Sequence, residues 1–289
     1  MIRNLIKISI LILLIFSCAN RGNPSGGEID EDPPKIVKSF PKNFSTNFNS
    51  ESIEIVFDEF VKIRNLDNEL IISPPINPIP QISPVGFASK LLTITKIDSL
   101  LENTTYSFSF GESIQDNNEA NKLNDFRYVF STGEFIDSLY IKGSISDAYN
   151  REISENINVL LYEIDTVFYD SIIYKSKPKY AAKVIDSTSS FKLQNLKSGN
   201  YLVIALEEEN KDYIFQPSSD KIGFYGSYLK LPNDSVINLK VFKEEVINKI
   251  SRPRQNSLNS FIIGNEGNES LKIKLLETKQ NKIITRTAK

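Results

Sequence analysis

Two stretches, Thr105-Tyr106-Ser107-Phe108-Ser109-Phe110 and Phe126-Arg127-Tyr128-Val129-Phe130-Ser131, place an aromatic ring at every second position. Successive side chains leave a pleated strand on opposite sides, so this period of two is that of a strand with one face in a core. Outward from these stretches the pattern repeats: Ile53, Ile55 and Phe57 share one face of a strand, and Leu92 and Ile94 one face of another. The runs are short and are broken by clusters of Asn, Asp, Gly, Pro and Ser, which supply turns. After residue 17 no amphipathic stretch reaches three helical turns, which removes the helical crossovers that a parallel sheet needs. The fold class expected is therefore all-β, built as tandem antiparallel β-sandwiches. The aromatic stripes are read as core and not as platforms for stacking bases or sugars.

Composition narrows the chemistry. The chain has 289 residues, 34 basic against 36 acidic side chains, one Cys, no His and no Trp. Without His there is no Ser-His-Asp or Cys-His catalysis and no His-ligated metal, and one Cys cannot form an internal disulfide, a thiolate zinc site or a Cys-X-X-Cys couple. A net charge of -2 gives no electrostatic case for nucleic acid, so no nucleic-acid partner is expected.

The N-terminus reads as a targeting segment. Arg3 and Lys7 precede the apolar run Ile8 to Phe16, which ends at Ser17-Cys18. Nine residues at ~1.5 Å each reach about 14 Å, against a hydrocarbon core of ~30 Å, so the run is too short to span. The ending Ile15-Phe16-Ser17-Cys18 resembles a bacterial lipobox. That resemblance implies cleavage after residue 17, lipid attachment at Cys18 with palmitate-type acyl chains, and membrane partnership through this N-terminal anchor. The expected location is the outer membrane. Loss of residues 1–17 would leave 32 basic against 36 acidic side chains. Residues 18–34, rich in Gly, Pro, Asn and acid with the single apolar Ile29, read as a flexible tether. Acids begin only at Glu28, so the pattern fits periplasmic and cell-surface display equally.

A first domain is expected at residues 35–135. Its stretches Ile55-Val56-Phe57-Asp58-Glu59-Phe60-Val61, Leu70-Ile71-Ile72-Ser73-Pro74-Pro75, Asn103-Thr104-Thr105-Tyr106, Ile114 to Asn121 and Phe130-Ser131-Thr132-Gly133 resemble, in that order, the bacterial Ig-like domain that opens many Bacteroidota lipoproteins. Where that family usually has Gly in an Asp-x-x-Gly-Asn turn, this chain has Ala120, for which a left-handed backbone is more costly, so a turn of different shape is expected. A second domain is expected at residues 136–242. Leu139 to Ala148, Val159-Leu160-Leu161-Tyr162 and Phe191 to Tyr201 resemble the carboxypeptidase-regulatory-like, prealbumin-type sandwich, which implies a spacer without catalytic apparatus. Tyr201 to Leu206 is apolar on both faces, as a central strand would be. Residues 243–289 read as a linker followed by strands, an incomplete third module or a tail.

Candidate sites are few. Asp116-Asn117-Asn118-Glu119 and the run Glu207 to Asp212 crowd oxygen ligands but lack EF-hand spacing, and are read as solvated turns. No catalytic residue, metal or cofactor is assigned. Gly223-Phe224-Tyr225-Gly226 lacks the spacing of a phosphate cradle. Six Asp-[Ser/Thr]-x triplets, all but one with an apolar third residue, resemble the O-glycosylation motif of Bacteroidota envelope proteins and mark Ser99, Ser138, Thr166, Ser171, Ser187 and Ser235. The competing reading is that Asp-Ser closes turns ahead of strands. The function expected is a non-enzymatic envelope lipoprotein acting as a structural, spacer or adhesion module. The alternatives are a binding module for a glycan, the cell wall or an envelope partner protein, in which Tyr149, Tyr225 or Tyr228 would be exposed contacts, and, least favoured, a carboxylate-based hydrolase.

Overall fold

A computed structural model describes residues 29–289 except 153, 155, 185–187, 234, 244–248, 258–259, 267–270, 278–281 and 289. Eight strands build a first sandwich: β1 (Ile36–Phe40), β2 (Ser52–Ile63), β3 (Ile71–Ser73), β4 (Gln81–Ser83), β5 (Ser89–Thr95), β6 (Thr105–Ser109), β7 (Ile114–Asp116) and β8 (Arg127–Ser131). One sheet runs β1-β2-β5-β4, with β7 on the far end of β2, and the other runs β3-β6-β8. The long β2 changes partner along its length: Ser52 to Val56 pair with β5, and after a register shift Val61 to Ile63 pair with β7. One short helix, α1 (Leu66–Glu69), leads into β3.

The alternation quoted above becomes the core between these sheets. Ile53, Ile55, Phe57, Leu92, Ile94, Tyr106, Phe108, Phe110, Tyr128 and Phe130 are all buried in one cluster. Phe130 is its centre, stacked on Phe48 at 3.9 Å and on Tyr106 at 5.5 Å between ring centroids. The Tyr128 hydroxyl donates to Pro41 O (2.7 Å), so its polar end is satisfied, and burial pushes its pKa up to about 12.

Ala120 does adopt a left-handed backbone, at φ 65°. The expected change of turn shape is thus corrected, and Asp116 supplies the reason. Its Oδ1 accepts from the N–H groups of Asn118 (2.8 Å), Glu119 (2.7 Å) and Ala120 (3.1 Å), and its Oδ2 from that of Asn121 (2.8 Å). Four charge-assisted bonds outweigh a left-handed penalty of ~1 kcal/mol at one Ala. Burial opposes ionisation of Asp116, but these N–H groups prevail and hold its carboxyl below the usual value.

A second sandwich follows, with β9 (Leu139–Asp147), β10 (Ile157–Glu163), β11 (Tyr180–Lys183), β12 (Ser190–Leu196), β13 (Gly199–Glu207), β14 (Lys221–Phe224), β15 (Leu229–Leu231) and β16 (Ile237–Lys243). The order is β11-β10-β13-β14-β16-β9-β12, with β15 also on β13. Central β13 is buried on both faces, as its apolar run requires: Tyr201, Val203 and Ala205 enter one cluster, and Ile204 and Leu206 another on the opposite side. One pairing departs from the antiparallel expectation. β9 and β16 are parallel, Ile237 facing Gly143 and Leu239 facing Ile145. Alternation has the same period beside either kind of partner, so the sequence pattern could not distinguish them. Gly143 makes the approach feasible, since a Cβ there would lie 1.7 Å from Ile237 O.

Beyond the second sandwich, Lys249–Ile250 pairs with Asn265–Glu266, Arg254–Ser257 with Ser260–Ile262, and Leu271–Glu277 with Lys282–Ala288, each as a two-stranded ladder. Among the described residues no helix is long and apolar enough to cross a membrane.

Candidate functional site at the module junction

The two sandwiches meet along β3 and β11. Each is the outermost strand of its sheet, and Ala181 N–H of β11 donates to Ser73 Oγ of β3 at 3.2 Å. Ile71, also on β3, is buried among Leu160, Tyr162, Ile173, Ala181, Ile204 and Leu206 of the second sandwich. An apolar side chain of the first module thereby closes the outer cluster of the second.

Polar clamps flank this plug. Glu69 of α1 pairs with Lys183 of β11 at 2.9 Å, both side chains largely shielded. Arg127 of β8 donates an N–H from one guanidinium nitrogen to Gln194 Oε1 and from another to Asn195 Oδ1, no carboxylate pairs with it among the described residues, and burial lowers its pKa. Asn195 Nδ2 in turn donates to Asp137 O (2.9 Å). Thr105 Oγ1 donates to Asp137 Oδ2 and accepts from the Asp137 N–H, each at 2.9 Å, which fixes the connecting segment to β6.

Two cavities open along the junction. One, of about 450 Å³, lies between Leu66, Leu70, Ile76 and Ile82 of the first module and Asn158, Lys177, Glu208, Lys211 and Tyr213 of the second. The other, of about 820 Å³, is more polar and is lined by Ser107, Ser109, Asn124, Arg127, Lys192 and Gln194 among others.

Glu208 corrects the reading of residues 207–212 as a solvated turn, because it is only 2% exposed. Its Oε2 accepts from the N–H groups of Asp212 (3.1 Å) and Tyr213 (3.0 Å), and no cation pairs with it among the described residues. Burial pushes its pKa up to about 7, against the pull of the Tyr213 and Asp212 N–H groups and with the Asp212 charge adding to the rise. The neighbouring Glu207 instead joins Asp147 around Lys221, at 3.1 and 2.8 Å. Burial disfavours the Asp147 charge, but the Lys221 ammonium and the N–H groups of Tyr149 and Asn150 overcome it and hold that carboxyl far below the usual range. The signal for Glu208 was present in the chain: the alternation of β13, carried on two residues, puts it on the face of Ile204 and Leu206.

The other sequence candidates are dispersed. Cys18 and Ser187 lie outside the described residues. Ser99, Ser138, Thr166, Ser171 and Ser235 are all exposed, on separate loops apart from Ser171 in a 3₁₀ turn. Asp165 Oδ1 accepts the Val167 N–H (3.0 Å), and Ser138 directly precedes β9, as turn chemistry requires. Tyr149 is 80% exposed and Tyr228 57%, while Tyr225 packs partly against the core. Among the described residues no three carboxylate or thiol side chains converge as a metal site.

Solved structures with a comparable course include the N-terminal part of the bacterial S-layer protein SbsC (12% identity, TM-score 0.23), over 73% of this chain and 43% of that one, so this chain spans less than half of it. BcpA, the major pilin subunit of Bacillus cereus, aligns at 12% identity and TM-score 0.23 over 73% of this chain and 71% of that one. An L,D-transpeptidase from Mycobacterium smegmatis does so at 12% and 0.23 over 72% and 90%. TM-scores this low carry no functional inference. A search of curated proteins returns no match. Residues 30–132 match the bacterial Ig-like domain family.

Proposed function

We propose that the protein is a non-enzymatic envelope lipoprotein, held at the outer membrane through lipid on Cys18 and a tether over residues 18–34, that presents its sandwiches as a structural, spacer or adhesion module. The observation that carries this reading is the joining of two sandwiches by an apolar plug, Ile71, and clamps from Glu69, Arg127 and Asp137. Three prominent polar groups are engaged in architecture: Asp116 in its turn, Asp147 around Lys221, Arg127 across the junction. Metabolic labelling with an alkyne fatty acid tests the anchor. Wild type should be labelled and Cys18→Ala should not, and equal labelling would remove the lipoprotein reading.

A second reading, a binding module for a glycan, the cell wall or an envelope partner protein, is favoured by the polar cavity of about 820 Å³ beside Arg127. A glycan array and a pull-down from envelope extract, each repeated with Lys192→Glu, test it. Binding lost in that variant supports the reading, and flat results in both assays dismiss it.

A further inference from the structure

We propose that the cavity of about 450 Å³ at the junction is a binding site for a small amphipathic anion, an acyl-like apolar body carrying one carboxylate-type head. Its two walls differ in kind. The first module contributes Leu66, Leu70, Ile72, Ile76, Ile79 and Ile82. Ile72, Ile76 and Ile82 belong to the packed core, so this wall has a rigid backing, whereas Ile79 is 65% exposed and has no such cover. Leaving that much apolar surface in water is unfavourable, and an apolar ligand body would remove it. The volume falls within the ordinary range of small-molecule sites.

The second module contributes the polar residues of the lining: Asn156, Asn158, Asn210, Lys177 and Lys211. Both lysines are exposed, and neither has an ion-pair partner among the described residues. Of the remaining charges on the lining, Lys183 is held by Glu69, Asp67 is exposed on α1, and the Glu208 carboxylate accepts the N–H groups of its own loop. Two free lysines, Lys177 and Lys211, against the one exposed carboxylate of Asp67 leave the free charge of the lining net positive, and both lysines belong to the second module, across from the apolar residues of the first. That arrangement selects a ligand with separate apolar and anionic parts, and disfavours a cationic head.

Calorimetric titration of the full chain with decanoate and with decylammonium tests this. Decanoate should bind saturably at one site, and decylammonium at least tenfold more weakly. Lys177→Gln combined with Lys211→Gln should bring decanoate down to the level of decylammonium. Ile79→Ser should weaken both ligands several-fold. All three side chains are exposed, so these variants leave the core intact. Absence of saturable decanoate binding, equal affinity for the two head groups, or decanoate binding unchanged in both variants would each overturn the proposal.

Discussion

Replacing Glu208 with Gln should stabilise the protein at pH 8 and leave it almost unchanged at pH 5. A carboxyl whose pKa rises from 4.5 in the unfolded chain to about 7 in the folded one keeps its proton longer in the native state. Stability attributable to it is complete below about pH 4.5 and is lost as pH rises through 7. That interval corresponds to about 3 kcal/mol. The groups facing Glu208 sharpen the window. Burial pushes Tyr213 up to about 12 and Tyr162 higher still, so both tyrosines are silent between pH 5 and pH 8. Gln is a fair replacement because Oε2 accepts both the Asp212 and the Tyr213 N–H, so one amide oxygen can retain those two bonds, and only the longer share of the Tyr213 N–H taken by Oε1 at 3.2 Å is lost. Urea unfolding followed by circular dichroism, which needs no Trp, measures the difference between variant and wild type at the two pH values. The expected result is a gain of about 2–3 kcal/mol at pH 8, after allowance for one less favourable hydrogen-bond acceptor, and a change under about 1 kcal/mol at pH 5. A variant that is less stable than wild type at pH 8, or equally shifted at both pH values, would refute the claim that Glu208 is a buried, uncompensated charge.

Three other outcomes follow from the architecture. Ile71→Ala should lower the unfolding midpoint by the equivalent of about 2–4 kcal/mol and speed proteolysis between the modules, because it empties a site enclosed by both. Gly143→Ala should destabilise by at least about 2 kcal/mol in the same urea titration, since its Cβ would meet Ile237 O and force β9 from β16. Asp116→Ala should cost about 2–3 kcal/mol at pH 7 by leaving four N–H groups of a turn without their acceptor. The Asp116 contribution is present above the ordinary carboxylate range and is lost as pH falls below it, so the difference from wild type should shrink in acid.

Much of the fold could be read from local pattern, because burial on one face of a strand imposes alternation and burial on both removes it. Tyr106, Phe108, Phe110 and the Tyr201–Leu206 run were legible for that reason. The junction was not. Glu69 and Lys183 are 114 residues apart and Arg127 and Gln194 are 67 apart, and nothing in either neighbourhood announces the other. Ile71 stands within the Leu70 to Pro75 stretch that resembles the Ig-like domain, yet its side chain is buried in a cluster of the other module. The turn at Ala120 was misjudged because a residue preference was weighed without the four hydrogen bonds that Asp116 sets against it. Glu208 was hidden within a run of acids, where composition suggested solvent and only the phase of the preceding strand indicated burial.

The meeting of β3 with β11 has a consequence during synthesis. Each strand pairs on one side only, and a bare strand edge is a template on which another chain can add itself. In the finished molecule each edge is shielded by the other module. Ser73 and Ala181 are 108 residues apart, so while the chain emerges N-terminus first the β3 edge stays bare until more than a hundred further residues have appeared. The brevity of β3, three residues, limits what such an edge can capture in that interval. Completion of the second sandwich then removes the opportunity, and the contact that joins the modules also protects the nascent first one from its own copies.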